Sequence, residues 1–296
     1  MSVVVVSWIL TLLAVFGLTY SHEARNESQL VQLEVERHQL RAWAQSGVEL
    51  VLAELDRPQV VDGEPLEPVT SRLLFSEPRS CGRGSFAVGE AVLVGGTEIW
   101  LPGIVDEAGR LPIALADSIS LATLPGMTAA GVKVILRAKA AAARDLMPPV
   151  GLLADLDYLS RDCALRYLSR YGNSVNVNSA SFDVLFAVGL PQGACRKMLK
   201  WRAGPDGAQG TTDDQWFRSL EANDPGIAGC TFNNEEAAVL AFLRGTGRLS
   251  VESRYFSLSS RGWGPGTYGI CEVKVIVKKP ENGQAKVIEL TENWLN

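Results

Sequence analysis

The chain is poor in the residues from which most catalytic and metal sites are built. Its 296 residues hold two histidines, His22 and His38, and both fall in the N-terminal stretch, which argues against a histidine-based catalytic centre or a multi-histidine metal site. The five cysteines, Cys81, Cys163, Cys195, Cys230 and Cys271, never occur as C-x-x-C, so zinc and thioredoxin-type chemistry find no ligand pair. Buried free cysteine is the plain reading of each. In an oxidising compartment Cys195 with Cys230, which bracket an irregular loop, is the preferred disulfide, and the odd count leaves at least one thiol over. No G-x-S-x-G, P-loop or H-E-x-x-H signature occurs, so no enzymatic activity is expected. A basic surplus is missing too. The net charge is −5 and the pI about 5.3, a poor match to the phosphate backbone, so nucleic acid is not an expected partner.

Charge is also missing from residues 3–20, VVVVSWILTLLAVFGLTY, whose polar groups are the hydroxyls of Ser7, Thr11, Thr19 and Tyr20. A helix rises ~1.5 Å per residue, so a run of this length spans a hydrocarbon core of ~30 Å. From His22 to Asp56 charges appear, yet Leu33, Leu40, Trp43, Ala44, Val48, Val51, Leu52 and Leu55 recur at helical spacing. Neither Pro nor Gly follows the apolar run until Gly47, and Pro58 ends the pattern. The stretch therefore predicts a transmembrane segment over 1–20 and its amphipathic continuation over 21–56. A cleaved signal peptide fits less well, because no basic n-region precedes the apolar run and no A-x-A site follows it.

Residues 57–80 are rich in Pro and polar groups and read as a loop. Between Gly84 and Leu111, alternating runs with turns at Gly89, Gly95–Gly96 and Asp106–Gly109 predict two or three strands. Over 113–245 Ala and Leu dominate, and helices are expected at 117–124, 128–145, 151–171, 179–188, 192–202, 214–222 and 234–244. A weak repeat runs through this block. The segments from Gly109 and from Gly172 each give an extended piece, a short helix, a Gly/Pro hairpin and a basic-ended helix, which is a helix-hairpin-helix-like pattern used twice. Strands return at 249–259, 269–278 and 285–290, with a hairpin at Asn282–Gly283. The economical architecture is one sheet, formed from 57–112 and 246–296, interrupted by an all-α insertion over 113–245 and packed on the first helix.

These features, with DEAGRLPI at 106–113 and YGNSVNVNSAS at 171–181, resemble the K-type minor pseudopilin of type II secretion systems. Val175-Asn176-Val177-Asn178-Ser179-Ala180 carries most of the likeness. The first motif has Pro112 and Ala114 where that family usually has Asn. The fold this implies is α+β: a pilin-like long N-terminal helix on an antiparallel sheet, with the α-insertion. The resemblance further implies a single-pass protein of the bacterial inner membrane with its body in the periplasm. It implies assembly with the I- and J-type minor pseudopilins, the major pseudopilin and the inner-membrane platform, and contact with a secreted substrate or the outer-membrane channel. Relatives carry a short basic leader that ends in Gly, whereas this chain opens Met1-Ser2-Val3. Counted from Ser2, the fifth position is Val6 rather than the Glu of most pilins, a departure that K-type members share and that suits a tip subunit. A tip minor pilin of a type IV pilus is a near variant.

Two stretches carry sharper expectations. Helix-hairpin-helix units often bind DNA through hairpin amides and nearby bases; Arg196, Lys197, Lys200 and Arg202 in the second copy, and Lys139 and Arg144 in the first, are the candidates for a rival DNA-binding reading. A basic face on the α-insertion would favour it. The other stretch, 201–214, offers Asp206, Asp213 and Asp214 as carboxylates, Gln209 and Thr211 as further oxygens, and Gly207 and Gly210 as turns. Such a donor set suits Ca2+, which takes six to eight oxygens, and the resemblance implies calcium in the α-insertion. Glu221 and Asp224 are additional candidates. The bland alternative is a solvated acidic turn capping a helix at Asp213.

Overall fold

The computed structural model describes residues 2–57, 60–61, 64–65, 75–94, 97–142, 150–209, 211, 213–265, 269–281 and 283–295. Its first element is the helix α1, Ser2–Leu55. Thr11 returns its hydroxyl to Ser7 O at 2.8 Å, so this polar group is satisfied within the apolar stretch. The helix is long and apolar enough to cross a membrane, with a mean hydropathy of 1.6 over its best window. Its C-terminal part buries Leu40, Ala44, Val48, Val51 and Leu55, a stripe at i+3 and i+4 spacing. Leu33 departs from the predicted stripe: it stays 54% exposed, because the body begins to cover α1 only after it, from Glu36 and Arg37 onward.

The strands that follow are short at first: β1 (Val60–Val61) pairs with β2 (Glu64–Pro65). Then come β3 (Arg79–Cys81), β4 (Gly84–Val94), β5 (Thr97–Pro102), β6 (Val105–Asp106) and β7 (Leu111–Pro112). After the helices follow β8 (Leu168–Ser169), β9 (Val175–Asn176), β10 (Leu249–Ser250), β11 (Tyr255–Trp263), β12 (Ile270–Lys278) and β13 (Lys286–Leu295). Among the described residues the main sheet runs β13-β12-β11-β4-β3, with β5 added to β4 and β6 to β11, all antiparallel. It joins strands from both sides of the helical block, and β13 extends five residues beyond the expected 285–290. Val273, Val275, Val277 and Cys271 of β12, with Phe86 and Val88 of β4, face α1 and form one core with it. The turns expected at Gly95–Gly96 and Asn282, and most of the 57–80 loop, lie outside the described residues.

Glycine sets how close α1 comes to the sheet. A side chain at Gly262 on β11 would overlap Ala44 N and stand 2.5 Å from Leu40 O; one at Gly47 on the helix would overlap Ser260 and meet Phe86 at 2.9 Å. The two backbones therefore touch where both residues lack a Cβ. Trp43 lies flat against Gly84 and Gly264, where a Cβ would also overlap its ring. Asp56 closes the far end by accepting the Ala285 amide at 2.7 Å.

The helical block comprises α2 (Ser118–Thr123), α3 (Ala129–Ala142), α4 (Tyr158–Tyr167), α5 (Phe182–Ala187), α6 (Gln192–Arg202), α7 (Pro225–Gly229) and α8 (Asn234–Gly245), with a 3-10 turn at Val150–Asp155. Their inward side chains share a second core that includes Leu121, Ile135, Val175, Leu185, Met198 and Phe217. The repeat is visible in space. Each copy opens on a two-residue parallel bridge, β7 with β8 and β9 with β10, then runs short helix, hairpin, longer helix. Gly126 (φ +83°) and Gly189 (φ +111°) take the left-handed turn of the two hairpins.

The structure corrects several expectations. Gly89 is no turn but lies inside β4, paired with Pro102 on one side and Ser259 on the other. The strand expected over 249–259 is two, β10 and β11, which pair with different partners. The 151–171 segment is two pieces, because Asp157 caps α4 afresh, accepting Ser160 N at 2.9 Å. No helix occupies 214–222: the Asn178 side chain holds Phe217 extended, its Oδ1 accepting Phe217 N at 2.8 Å and its Nδ2 donating to Phe217 O at 2.9 Å. The next helix waits for Pro225, capped by Asp224, so Asp213 caps none. Finally, Cys195 and Cys230 are free buried thiols rather than a disulfide, as are Cys163 and Cys271, with Cys81 free and half-buried.

Candidate functional site

The two motifs that carried the sequence resemblance meet at the seam between sheet and helical block. Asp106, at the end of β6, accepts Ala108 N at 2.9 Å and Asn176 Nδ2 at 3.1 Å, and the hydroxyls of Ser179 and Ser253. Its neighbour Glu107 accepts Ser169 Oγ at 2.6 Å, Ser257 Oγ at 2.7 Å and Arg110 Nη1 at 2.9 Å. Ser253 and Ser257 lie beside or in β11; Ser169, Asn176 and Ser179 belong to the insertion. Two buried carboxylates thus fasten the α-insertion to the sheet, Asp106 through neutral donors alone and Glu107 through two serine hydroxyls and the Arg110 guanidinium. Burial pushes Asp106 above the ordinary carboxylate range, against the pull of its hydroxyl, amide and backbone donors. Sequence reading quoted these residues and assigned them no role. The signal it missed was the match between an acidic pair and two Ser/Asn-rich segments far along the chain.

A second fastening comes from Arg202. Its Nη1 donates to Val177 O at 3.2 Å and Ala180 O at 2.6 Å, so the guanidinium ties α6 to the Asn-rich motif. Burial lowers its pKa to about 10, with Asp214 opposing that shift. Arg202 is therefore spent inside the fold. Lys197 is spent as well, donating to Glu236 Oε2 at 2.6 Å and Thr231 O at 3.1 Å. That glutamate packs against Gly193 in the first turn of α6, where a side chain would overlap its carboxylate. Its carboxylate thus lies beside the N-terminal turn of α6. Lys139 of the first copy donates to Ala116 O at 2.7 Å. Arg196 and Lys200 remain exposed. Arg144 lies outside the described residues.

The acidic loop closes on itself. Asp213 accepts Thr211 Oγ1 at 2.7 Å and Asp206 N at 3.1 Å; Asp206 accepts Ala208 N at 2.7 Å. Those donors hold the Asp213 carboxyl below its ordinary range, the Thr211 hydroxyl foremost. Gly204 and Gly207 take positive φ in the turn, Gln209 is exposed, and Gly210 lies outside the described residues. Asp206, Thr211 and Asp213 are brought together, while Asp214 acts on Arg202. Glu221 pairs with Arg244, and Asp224 accepts Gly226 N, Ile227 N and Ser219 N. The oxygens present suit a hard cation in kind. In number, no group of three or more His, Cys, Asp or Glu side chains converges among the described residues.

Part of the exposed surface of α1 is apolar. Beyond the membrane-length stretch and before the body, Leu30 is 62% exposed and Val31 57%, close to Leu33 on the same helix. At the next turns, Arg37 lies over the Trp294 ring at 5.6 Å and Arg41 pairs with Glu292, so α1 borders the edge strand β13 there.

No protein-family model and no curated protein matches the chain. A solved structure does: a chain of the crystal structure of the GspK-GspI-GspJ complex from enterotoxigenic Escherichia coli Type 2 Secretion System, with a TM-score of 0.54 and 11% sequence identity. The match covers 89% of this chain and 99% of that one. At this identity the likeness is one of architecture, and the fold of the chain is GspK-like: a long N-terminal helix, an antiparallel sheet and an inserted helical block.

Proposed function

We propose that the chain is a K-type minor pseudopilin, anchored in the bacterial inner membrane by α1, with its body in the periplasm, acting in protein export from the tip of a type II secretion pseudopilus. The observation that carries this reading is the match over nearly the whole of the chain, α-insertion included, to a chain of the GspK-GspI-GspJ complex. Its partners are then the I- and J-type minor pseudopilins, through the exposed apolar face of α1, and below them the major pseudopilin and the inner-membrane platform. The α-insertion then caps the tip and faces the secreted substrate or the outer-membrane channel. The work is assembly, not catalysis. Deleting the gene in its host, with secreted proteins assayed in the medium, tests the role. Loss of export restored by the full chain supports it; normal export contradicts it.

The rival DNA-binding reading loses ground on a specific observation: Glu236 holds the α6 end of the second hairpin, and Lys197 and Arg202 are engaged within the fold. We propose also that the 204–214 loop takes Ca2+, held by Asp206, Thr211 and Asp213, with backbone carbonyls and water completing the shell. Bound calcium would add a charge partner for carboxylates that the loop now satisfies alone. The expected result is a rise in Tm of about 5 °C at saturating Ca2+, absent in Asp213→Asn; an equal Tm in calcium and in chelator removes the site.

A further inference from the structure

The α-insertion carries a cleft of about 360 Å³ beside the acidic loop, lined by Trp201, Asp214, Gln215, Trp216, Arg218, Asp224, Pro225 and Gly226. Neither the export role nor the calcium loop uses it. Its floor is rigid. Trp201, from the last turn of α6, stacks on Phe217 with ring centroids 4.5 Å apart. Its other contacts are Gly226 and Gly229 of α7; a Cβ at Gly226 would stand 2.7 Å from the Trp201 ring and one at Gly229 3.0 Å from its Nε1. Both glycines leave the indole room to lie on the helix backbone. Asp224 is fixed by three backbone amides, so its carboxylate cannot swing away. Phe217, and with it the segment bearing Trp216, is pinned by Asn178. The cleft thus sets two indoles, two carboxylates and the Arg218 guanidinium on a well-tied backbone.

Its electrostatics have a sign. At the lining itself Asp214 and Asp224 stand against Arg218, with the charge of Arg202 behind Asp214; Glu221 nearby is already paired with Arg244. Arg202 points inward to Val177 O and Ala180 O, leaving Arg218 as the cation at the cleft wall. Indole faces attract cations, and a guanidinium both stacks on an aromatic plane and forks onto a carboxylate. We propose that this cleft receives a basic side chain, arginine foremost, presented by a partner polypeptide, with the Trp216 and Trp201 indoles as the apolar walls and Asp214 as the charge partner. The inference stands whether or not the chain is a pseudopilin, since it uses only this chain's own side chains.

The test uses the full chain in detergent micelles, labelled with 5-fluorotryptophan; its seven tryptophans give separate fluorine resonances, assigned by single Trp→Phe variants. The probes are N-acetyl-arginine methylamide and its neutral isostere, N-acetyl-citrulline methylamide. The arginine probe is expected to shift the Trp201 and Trp216 resonances saturably and leave the other five in place. The citrulline probe is expected to shift none. Asp214→Asn should weaken the arginine probe about tenfold, the loss expected for a charged hydrogen bond. Arg218→Gln, which removes the competing cation, should leave binding equal or tighter. Equal shifts with citrulline, undiminished binding to Asp214→Asn with the remaining resonances native, or no shift of these two indoles would each overturn the proposal.

Discussion

Gly262→Ala tests how α1 is seated on the body. Its new methyl would lie 2.5 Å from Leu40 O and 3.0 Å from the carbonyl carbon of Trp43, and closer still to Ala44 N. Ordinary contact between such atoms is ~3.5–4.0 Å, so the helix must retreat by roughly 1 Å. Retreat loosens Leu40, Ala44 and Val48 from the sheet and lifts Trp43 off Gly84 and Gly264. Overpacking of this kind costs about 1–3 kcal/mol, and at this chain size each kcal/mol moves Tm by about 2–4 °C. The expected fall is therefore about 2–12 °C, read by near-ultraviolet circular dichroism of the full chain in detergent. Gly47→Ala provides the sharper sign. Helix propensity alone would reward it by about 1 kcal/mol. Packing forbids it, because the methyl would overlap Ser260 and crowd Phe86. A lower Tm supports the close seat. A Tm unchanged in Gly262→Ala, or raised in Gly47→Ala, refutes it.

Three further outcomes follow from the geometry. Burial raises Asp106 in the folded state above its unfolded value, so its share of stability is present in full below the unfolded pKa and is lost as pH rises through the folded one. Denaturant unfolding at stepped pH should show the parent gaining on Asp106→Asn as pH falls from neutral towards 4, where the unfolded carboxyl titrates; parallel curves would contradict the burial. Asn178→Ala should cost about 2–4 kcal/mol, because it strips both backbone partners from buried Phe217. A loss below about 0.5 kcal/mol, the range of ordinary surface changes, would show that this segment holds itself. Thiol titration should find five reactive groups per chain once unfolded without reductant. In the native protein Cys81 should react first, because burial lifts Cys195 and Cys230 to about 12 and Cys163 and Cys271 to about 11. Fewer than five would reveal a disulfide.

Legibility followed the range of the interaction. Elements written in local pattern came through: the apolar run and its amphipathic continuation, α6 at 192–202, α8 from Asn234, and the alternating valines of β12. What depended on a partner far along the chain did not. Phe217 and its neighbours look helical by composition, and the Asn178 side chain, 39 positions earlier, holds Phe217 extended. Leu33 fits the apolar stripe by phase, but the sheet ends before reaching it, which leaves the residue exposed. Cys195 and Cys230 bracket a loop in sequence, while in space each is a buried thiol on its own helix end. The Asp106–Glu107 seam was least legible of all, since its donors come from positions 62 to 150 residues away. In the acidic loop the sequence listed five oxygen donors, and the fold gathers Asp206, Thr211 and Asp213 while giving Asp214 to Arg202 and leaving Gln209 exposed.

The central claim is a subunit that assembles with others of its fold, and the measurement closest to it is co-purification. The full chain, tagged at its C-terminus, is expressed with the I- and J-type minor pseudopilins of the same genome, extracted in mild detergent and passed over size exclusion. All of them should elute in one peak, and Leu30→Glu with Leu33→Glu should release the tagged chain while its Tm is unchanged, because those side chains lie exposed on α1 before the buried stripe begins. A tagged chain that elutes alone in every condition, with its fold intact, would contradict the account.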